Sequence, residues 1–189
     1  MTLYALILFI HIASAFFLFA GLTLQWMAFR VLRRAGGTAP TKQWVQLAVF
    51  SGKLYGPAIG LVILSGGYLG AAMKAWNQAW LPGSFLALLV VGAIGVAITQ
   101  PRLRAVQKRM ARNGSEQSEL SAEVIGRLQD PILMASVRVR VAIVLGVLFL
   151  MVSKVNLVPS IAVLLFSLIV GLVTAAFSWR PTRKAASMV

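Results

Sequence analysis

An all-α, polytopic transmembrane bundle is the fold class the sequence predicts, with a four-helix core and a fifth, C-terminal span, and three observations carry that prediction. Hydrophobic residues make up 59% of the 189-residue chain and charged residues only 12%, where soluble domains run at about 45–50% and about 25%. Mean hydropathy is +0.86. Five apolar runs, each able to cross about 30 Å of hydrocarbon at about 1.5 Å per residue, use most of the length. The chain therefore reads as one transmembrane domain over 1–189. It contains no cysteine, which excludes disulfides, thiolate metal sites and cysteine nucleophiles.

Span 1 runs from Thr2 to Phe29. Ala13-Ser14-Ala15 resembles a signal-peptidase site, but the apolar run continues past it, so an uncleaved helix is expected. Span 2, Trp44 to Met73, places Gly56, Gly60, Gly67 and Gly70 on one face, and Gly66 with Gly70 forms a second GxxxG. Small residues let helix backbones approach closely, in the bundle or between subunits. A homo-oligomer or membrane complex through this face is the partner expectation, beside the lipid bilayer itself. Pro57 lacks the amide that would reach the Lys53 carbonyl and so predicts a bend.

Span 3 covers Leu81 to Gln100, and a loop from Pro101 to Pro131 follows it. Pro101 suits a first helical position, Asn113-Gly114 ends that helix, and Leu120, Val124 and Leu128 recur as a short amphipathic helix. All four acids of the chain, Glu116, Glu119, Glu123 and Asp130, fall in this loop. Span 4 runs from Ile132 to Ser153 although Arg138 and Arg140 lie inside it, and span 5 runs from Leu157 to Trp179.

The formal charge of +14 would suggest nucleic acid on a soluble protein; on a membrane protein it is a topology signal, and no nucleic-acid partner is expected. Arg30, Arg33, Arg34 and Lys42 follow span 1. Arg102, Arg104, Lys108, Arg109, Arg112 and Arg127 follow span 3, and Arg180, Arg183 and Lys184 follow span 5. Only Lys74 and Lys154 lie on the other side. The positive-inside rule then predicts an external N-terminus and a cytoplasmic C-terminus in a bacterial inner (plasma) membrane. Trp76 and Trp80 would mark the outer interface, and Trp26, Trp44 and Trp179 the inner one.

No span contains a carboxylate, which disfavours proton- or sodium-driven cation carriers. No P-loop, HExxH, GxSxG or GxGxxG pattern occurs, so standard hydrolase and nucleotide chemistry has no support. His11, the single histidine, shares a polar stripe of span 1 with Tyr4, Ser14, Leu18, Gly21 and Gln25. That face should turn towards other helices, leaving His11 either hydrogen-bonded to a neighbour or free to ligate a metal or haem iron, with Ser14 or Tyr4 as partner for its other ring nitrogen. Met73 and Met151 lie at the same end and suit a haem iron or Cu(I) site. Lys53 either snorkels to the interface or meets an anion or haem propionate. Arg138 and Arg140 stand about 200° apart on a helix, so only one can face the bundle interior, where a carboxylate or propionate could pair with it.

The segments from His11 to Leu22, Lys53 to Ala58, Leu64 to Gly66, Leu86 to Leu89, Pro101 to Leu103 and Phe149 to Lys154 resemble a family of bacterial predicted integral membrane proteins with no assigned function. That family is more distantly similar to the copper-resistance D (CopD) proteins and the HemJ-type protoporphyrinogen oxidases. The resemblance spans residues 3 to 154 and leaves span 5 as an addition. The HemJ likeness implies a four-helix bundle holding haem b through a span 1 histidine, here His11. A lysine that the HemJ pattern has at the start of span 3 is missing from Trp80 to Ser84. Three readings follow: a haem-binding or redox-associated protein with His11, Met151, Arg140 and Lys53 around the cofactor; a non-catalytic accessory subunit or lipid-interacting protein; and an anion channel or transporter using Lys53 and one arginine.

Overall fold

A computed structural model describes residues 2–33, 40–112 and 130–177. These residues form helices α1 (Leu3–Leu32), α2 (Pro40–Ala72), α3 (Trp80–Ile94), α4 (Gln100–Arg112), α5 (Pro131–Ser153) and α6 (Leu157–Ala176), with a 3₁₀ turn at Ala75–Asn77 and a π-helical segment at Gly95–Thr99. No strand occurs among the described residues. Five stretches are long and apolar enough to cross a membrane: Leu3–Leu32, Gln43–Ala72, Trp80–Lys108, Pro131–Ser153 and Leu157–Ala176. The protein is a multi-pass, all-helical membrane protein. The expected amphipathic helix at Leu120, Val124 and Leu128, the acids Glu116, Glu119 and Glu123, and Arg34, Arg127, Trp179, Arg180, Arg183 and Lys184 lie outside the described residues.

The helix starts are read in local chemistry. Thr2 accepts from the Ala5 amide at the head of α1. Asp130 caps α5 by accepting from the Ile132 amide at 2.9 Å, and Pro131 occupies the first turn, where its missing amide costs nothing. The third span differs from its expected end at Gln100. Pro101 does not open a separate helix; the chain continues from α3 through the π segment into α4. The wide π turn accommodates the proline, and the Arg102 guanidinium donates to the Ile98 carbonyl at 3.0 Å.

α1 packs along α2, while α5 lies centrally against α1, α3 and α6. In α5, 56% of the most apolar window is buried, against 17% in α6. α5 is thus the core helix and α6 a peripheral one. The close approach of α1 to α2 is made at Gly21, where an added Cβ would stand 3.0 Å from Tyr55 Cβ and 3.2 Å from the Ser51 carbonyl oxygen. The expected glycine face of α2 is divided. Gly67 packs on Phe85 and Gly70 on Leu81, whereas nothing lies within 4 Å of a Cβ added at Gly56 or Gly60. Trp80, expected at an interface, is buried with Ala75, Leu81 and Leu150, and its indole donates to Gln78 at 2.7 Å.

Arg30, Arg33, Arg102 and Arg104, with the start of α5 and the end of α6, mark one end of the bundle, called the basic end below. Lys74 and Lys154 close α2 and α5 at the other end in left-handed conformations, with φ of 53° and 48°.

Candidate functional site

Near the basic end, one layer of the core is polar. Its centre is Arg140, which is 1% exposed. Nη2 donates to Gln25 Oε1 of α1 at 2.8 Å and to Thr99 Oγ1 of the π segment at 3.0 Å. Nε donates to the Ser136 carbonyl one turn back at 3.1 Å. The guanidinium lies over the Tyr55 ring of α2, 5.3 Å from its centroid, a cation–π arrangement whose attraction is strongest where the cation is desolvated. Tyr55 in turn donates to the Val91 carbonyl of α3 at 2.9 Å.

The hydrogen bonds have a direction. Ser136 Oγ donates to the Leu133 carbonyl at 2.8 Å, so its contact of 3.1 Å with Thr99 Oγ1 uses the Thr99 proton. The chain therefore runs from Arg140 through Thr99 and Ser136 to the backbone. Every helix of the four-span core contributes, and Gly95 in the π segment leaves the space. A Cβ there would stand 3.0 Å from the Tyr55 ring and 3.3 Å from Arg140 Nη1.

Among the described residues the positive charge meets only neutral groups. Asp130 is the one carboxylate among the described residues, and it pairs with Arg102 at 3.2 Å. Ion pairing inside hydrocarbon is the usual answer to a buried cation, and here dipoles and an aromatic face replace it. Apolar clusters lie on both sides of the layer. Phe29, Leu32, Leu103 and Leu133 belong to the one towards the basic end, and Leu18, Leu22, Val62 and Val147 to the other.

The four residues expected around a cofactor do not share one site. His11 sits about 21 Å along α1 from Gln25, the partner of Arg140, at about 1.5 Å per residue. That separation exceeds the reach of one porphyrin, so Arg140 is not placed to meet the propionate of a haem held by His11. Lys53 is exposed on α2. Met151 is partly buried against the cluster of Trp80, Leu81 and Leu150, while Met73 is 44% exposed.

His11 itself is half-buried, and its Nδ1 lies 3.0 Å from Ser65 Oγ of α2. Ser65, rather than Ser14 or Tyr4, is its partner. Ser65 donates its proton to the Leu61 carbonyl, so Nδ1 of His11 carries the hydrogen and Nε2 keeps a lone pair. Gly66 leaves room for the ring, with a Cβ position 3.0 Å from His11 Cε1. No cluster of three or more His, Cys, Asp or Glu exists among the described residues.

The inward stripe of α1 holds from Ser14 onward, where Ser14, Leu18, Gly21 and Gln25 are all buried, whereas Tyr4 is 41% exposed and His11 half-buried. Of the two span 4 arginines, Arg140 faces the interior and Arg138 turns to α6, where Nη1 donates to the Thr174 carbonyl. Sequence reasoning did not single out Tyr55, Thr99 or Ser136. Ser136 is four residues before Arg140 and so shares its helix face, which is a readable signal. The π segment that brings Thr99 into line has no comparable one.

Compared with known proteins, residues 5–155 match the model of a family described as Predicted integral membrane protein (DUF2269). No curated protein and no solved structure matches.

Proposed function

We propose, for a chain that belongs to this family of predicted integral membrane proteins, that the protein is an anion-handling membrane protein in which Arg140 is the recognition residue. One observation carries the reading: a buried guanidinium whose charge is met by no carboxylate among the described residues. Its side-chain neighbours suit an anion. Gln, Thr, Ser and Tyr can each donate as well as accept, so Gln25 and Thr99, which now accept from Nη2, can rotate to donate to a ligand placed against the guanidinium. Halide or a small monovalent carboxylate fits the single charge. The apolar clusters on both sides make this an occluded arrangement, and passage requires one of them to part. π segments often sit at such working positions in helices.

The test uses the purified full chain in liposomes. Release of chloride, nitrate or acetate should exceed that from empty vesicles, fall at least about tenfold in Arg140→Gln, and persist in part in Arg140→Lys. A second readout needs no variant: replacing chloride by gluconate should lower the melting temperature of the wild-type protein. Wild-type protein without anion-dependent release or melting would sink the proposal.

A second reading, haem b bound by His11, is supported by the bond to Ser65, which leaves Nε2 as a suitable iron donor. It involves neither Arg140 nor Lys53. Protein expressed with ample haem should then show a Soret band that His11→Ala abolishes; colourless protein removes the reading.

A further inference from the structure

Outside the bundle core, an apolar groove runs along the seam of α5 and α6, which pack closely at Gly146 and Gly171. Towards the basic end it holds about 580 Å³, with Trp26 of α1, Arg138, Leu145, Phe166 and Val170 in its walls. A second cavity of about 500 Å³ shares Leu145 and Phe166 and continues to Phe149. The two form one channel from Arg138 to Phe149, about 16 Å along α5 at about 1.5 Å per residue. One leaflet of a hydrocarbon core of about 30 Å has that depth.

The mouth of the groove is cationic. The Arg138 guanidinium spends one donor on the Thr174 carbonyl and has others left. Arg30 stands over the Trp26 ring at 5.7 Å, and Arg30 and Arg33 both act electrostatically on Arg138. The like charges of Arg30 and Arg138 repel each other, and Asp130, the one carboxylate among the described residues, is held by Arg102. A phosphate would relieve that repulsion and match the guanidinium fork. The wall formed by α6 lies beyond residues 5–155, the part of the chain that matches the family model.

We infer that this groove is a binding site for one anionic phospholipid, with its phosphate on Arg138 and Arg30 and one acyl chain laid in the groove along the seam of α5 and α6. The juxtaposition of a leaflet-deep apolar channel with an arginine cluster at its mouth selects a lipid over a soluble anion, because only a lipid fills both parts. The Trp26 indole, 38% exposed beside Arg30, suits the headgroup level where tryptophan is enriched. This site is separate from Arg140 and stands whether or not that residue handles anions.

Native mass spectrometry of the full chain, extracted in mild detergent and exchanged with defined lipids, tests the assignment. Phosphatidylglycerol should be retained at one per chain and raise the melting temperature, while phosphatidylcholine should do neither. Retention should fall about tenfold in the Arg30→Gln, Arg138→Gln double variant and survive largely in Arg138→Lys. Leu145→Trp, which fills the channel where its two halves join and keeps every charge, should also displace the lipid. Equal retention of both lipids, unchanged retention in Leu145→Trp, or the same stabilisation by inorganic phosphate alone would each overturn the proposal.

Discussion

Arg138 and Arg140 are separated by a single residue on α5, yet one faces the core and the other an outward-facing groove. At about 100° per residue they point some 200° apart, so the helix can bury one only by turning the other out. Arg140 lands among α1, α2 and the π segment, where Gln25, Thr99, the Ser136 carbonyl and the Tyr55 ring surround it. Arg138 lands against α6, the least buried helix, and meets one backbone carbonyl. Residue type therefore does not determine what a charged group does inside a membrane. The number of helices that can bring dipoles to it does, because each unmet donor in hydrocarbon carries a desolvation cost.

The largest effect is expected at the buried arginine. Arg140→Met removes the charge and leaves Gln25 and Thr99 without their donor, at about 1–3 kcal/mol for each buried group. A loss of about 2–4 kcal/mol in detergent unfolding is expected. A variant as stable as the wild type would mean that the polar layer contributes nothing to holding the helices together. Gly95→Ala tests the same layer from its other side. The added methyl meets the Tyr55 ring at 3.0 Å and Arg140 Nη1 at 3.3 Å, and overpacking of this kind costs about 1–3 kcal/mol. The ring and the guanidinium must separate to admit it, so anion-dependent melting should weaken along with stability.

Much of this layer is legible in the amino-acid sequence. The apolar runs fix five spans, and the polar stripe of α1 correctly predicts that Ser14, Leu18, Gly21 and Gln25 face inward. The alternation of Arg138 and Arg140 states that one is buried without saying which, since both faces of α5 are apolar apart from them. Two features are not readable there. The π segment arises from how Gly95 to Thr99 fit between Tyr55 and α5, a tertiary effect without a local sequence code. The glycine pattern of α2 shows a face but not its neighbour: Gly67 and Gly70 meet α3 side chains, while Gly56 and Gly60 meet nothing within 4 Å of an added Cβ. The close contacts between α1 and α2 are made instead by Gly21, a lone glycine on α1, against Tyr55 and by Gly66 against His11.

A smaller effect separates the two roles of Tyr55. Tyr55→Phe keeps the ring face under Arg140 and deletes the bond of 2.9 Å to the Val91 carbonyl together with the interaction of the phenolic oxygen with the guanidinium, a loss of about 1 kcal/mol for the first. Anion-dependent melting should survive, because the cation–π partner is intact. Its disappearance would move the phenolic oxygen from a strut between α2 and α3 to a direct participant in recognition.

The smallest change in stability is expected at the other arginine. Arg138→Gln forfeits the bond to the Thr174 carbonyl, worth about 0.5–1.5 kcal/mol net, or more for a charged donor. It also removes the repulsion from Arg30 and Arg33 and the cost of holding a charge about two turns inside α5. These terms oppose one another, so the melting temperature of delipidated protein should move by no more than the equivalent of about 0.5 kcal/mol. The contrast with Arg140→Met then becomes a difference in kind: one arginine supports the bundle, and the other costs it almost nothing while the bilayer is absent. Adding phosphatidylglycerol should separate the proteins again, with the wild type gaining stability and Arg138→Gln gaining little. A large loss in Arg138→Gln before any lipid is added would show that the Thr174 bond holds α6 to the bundle, and the distinction between the two arginines would fail.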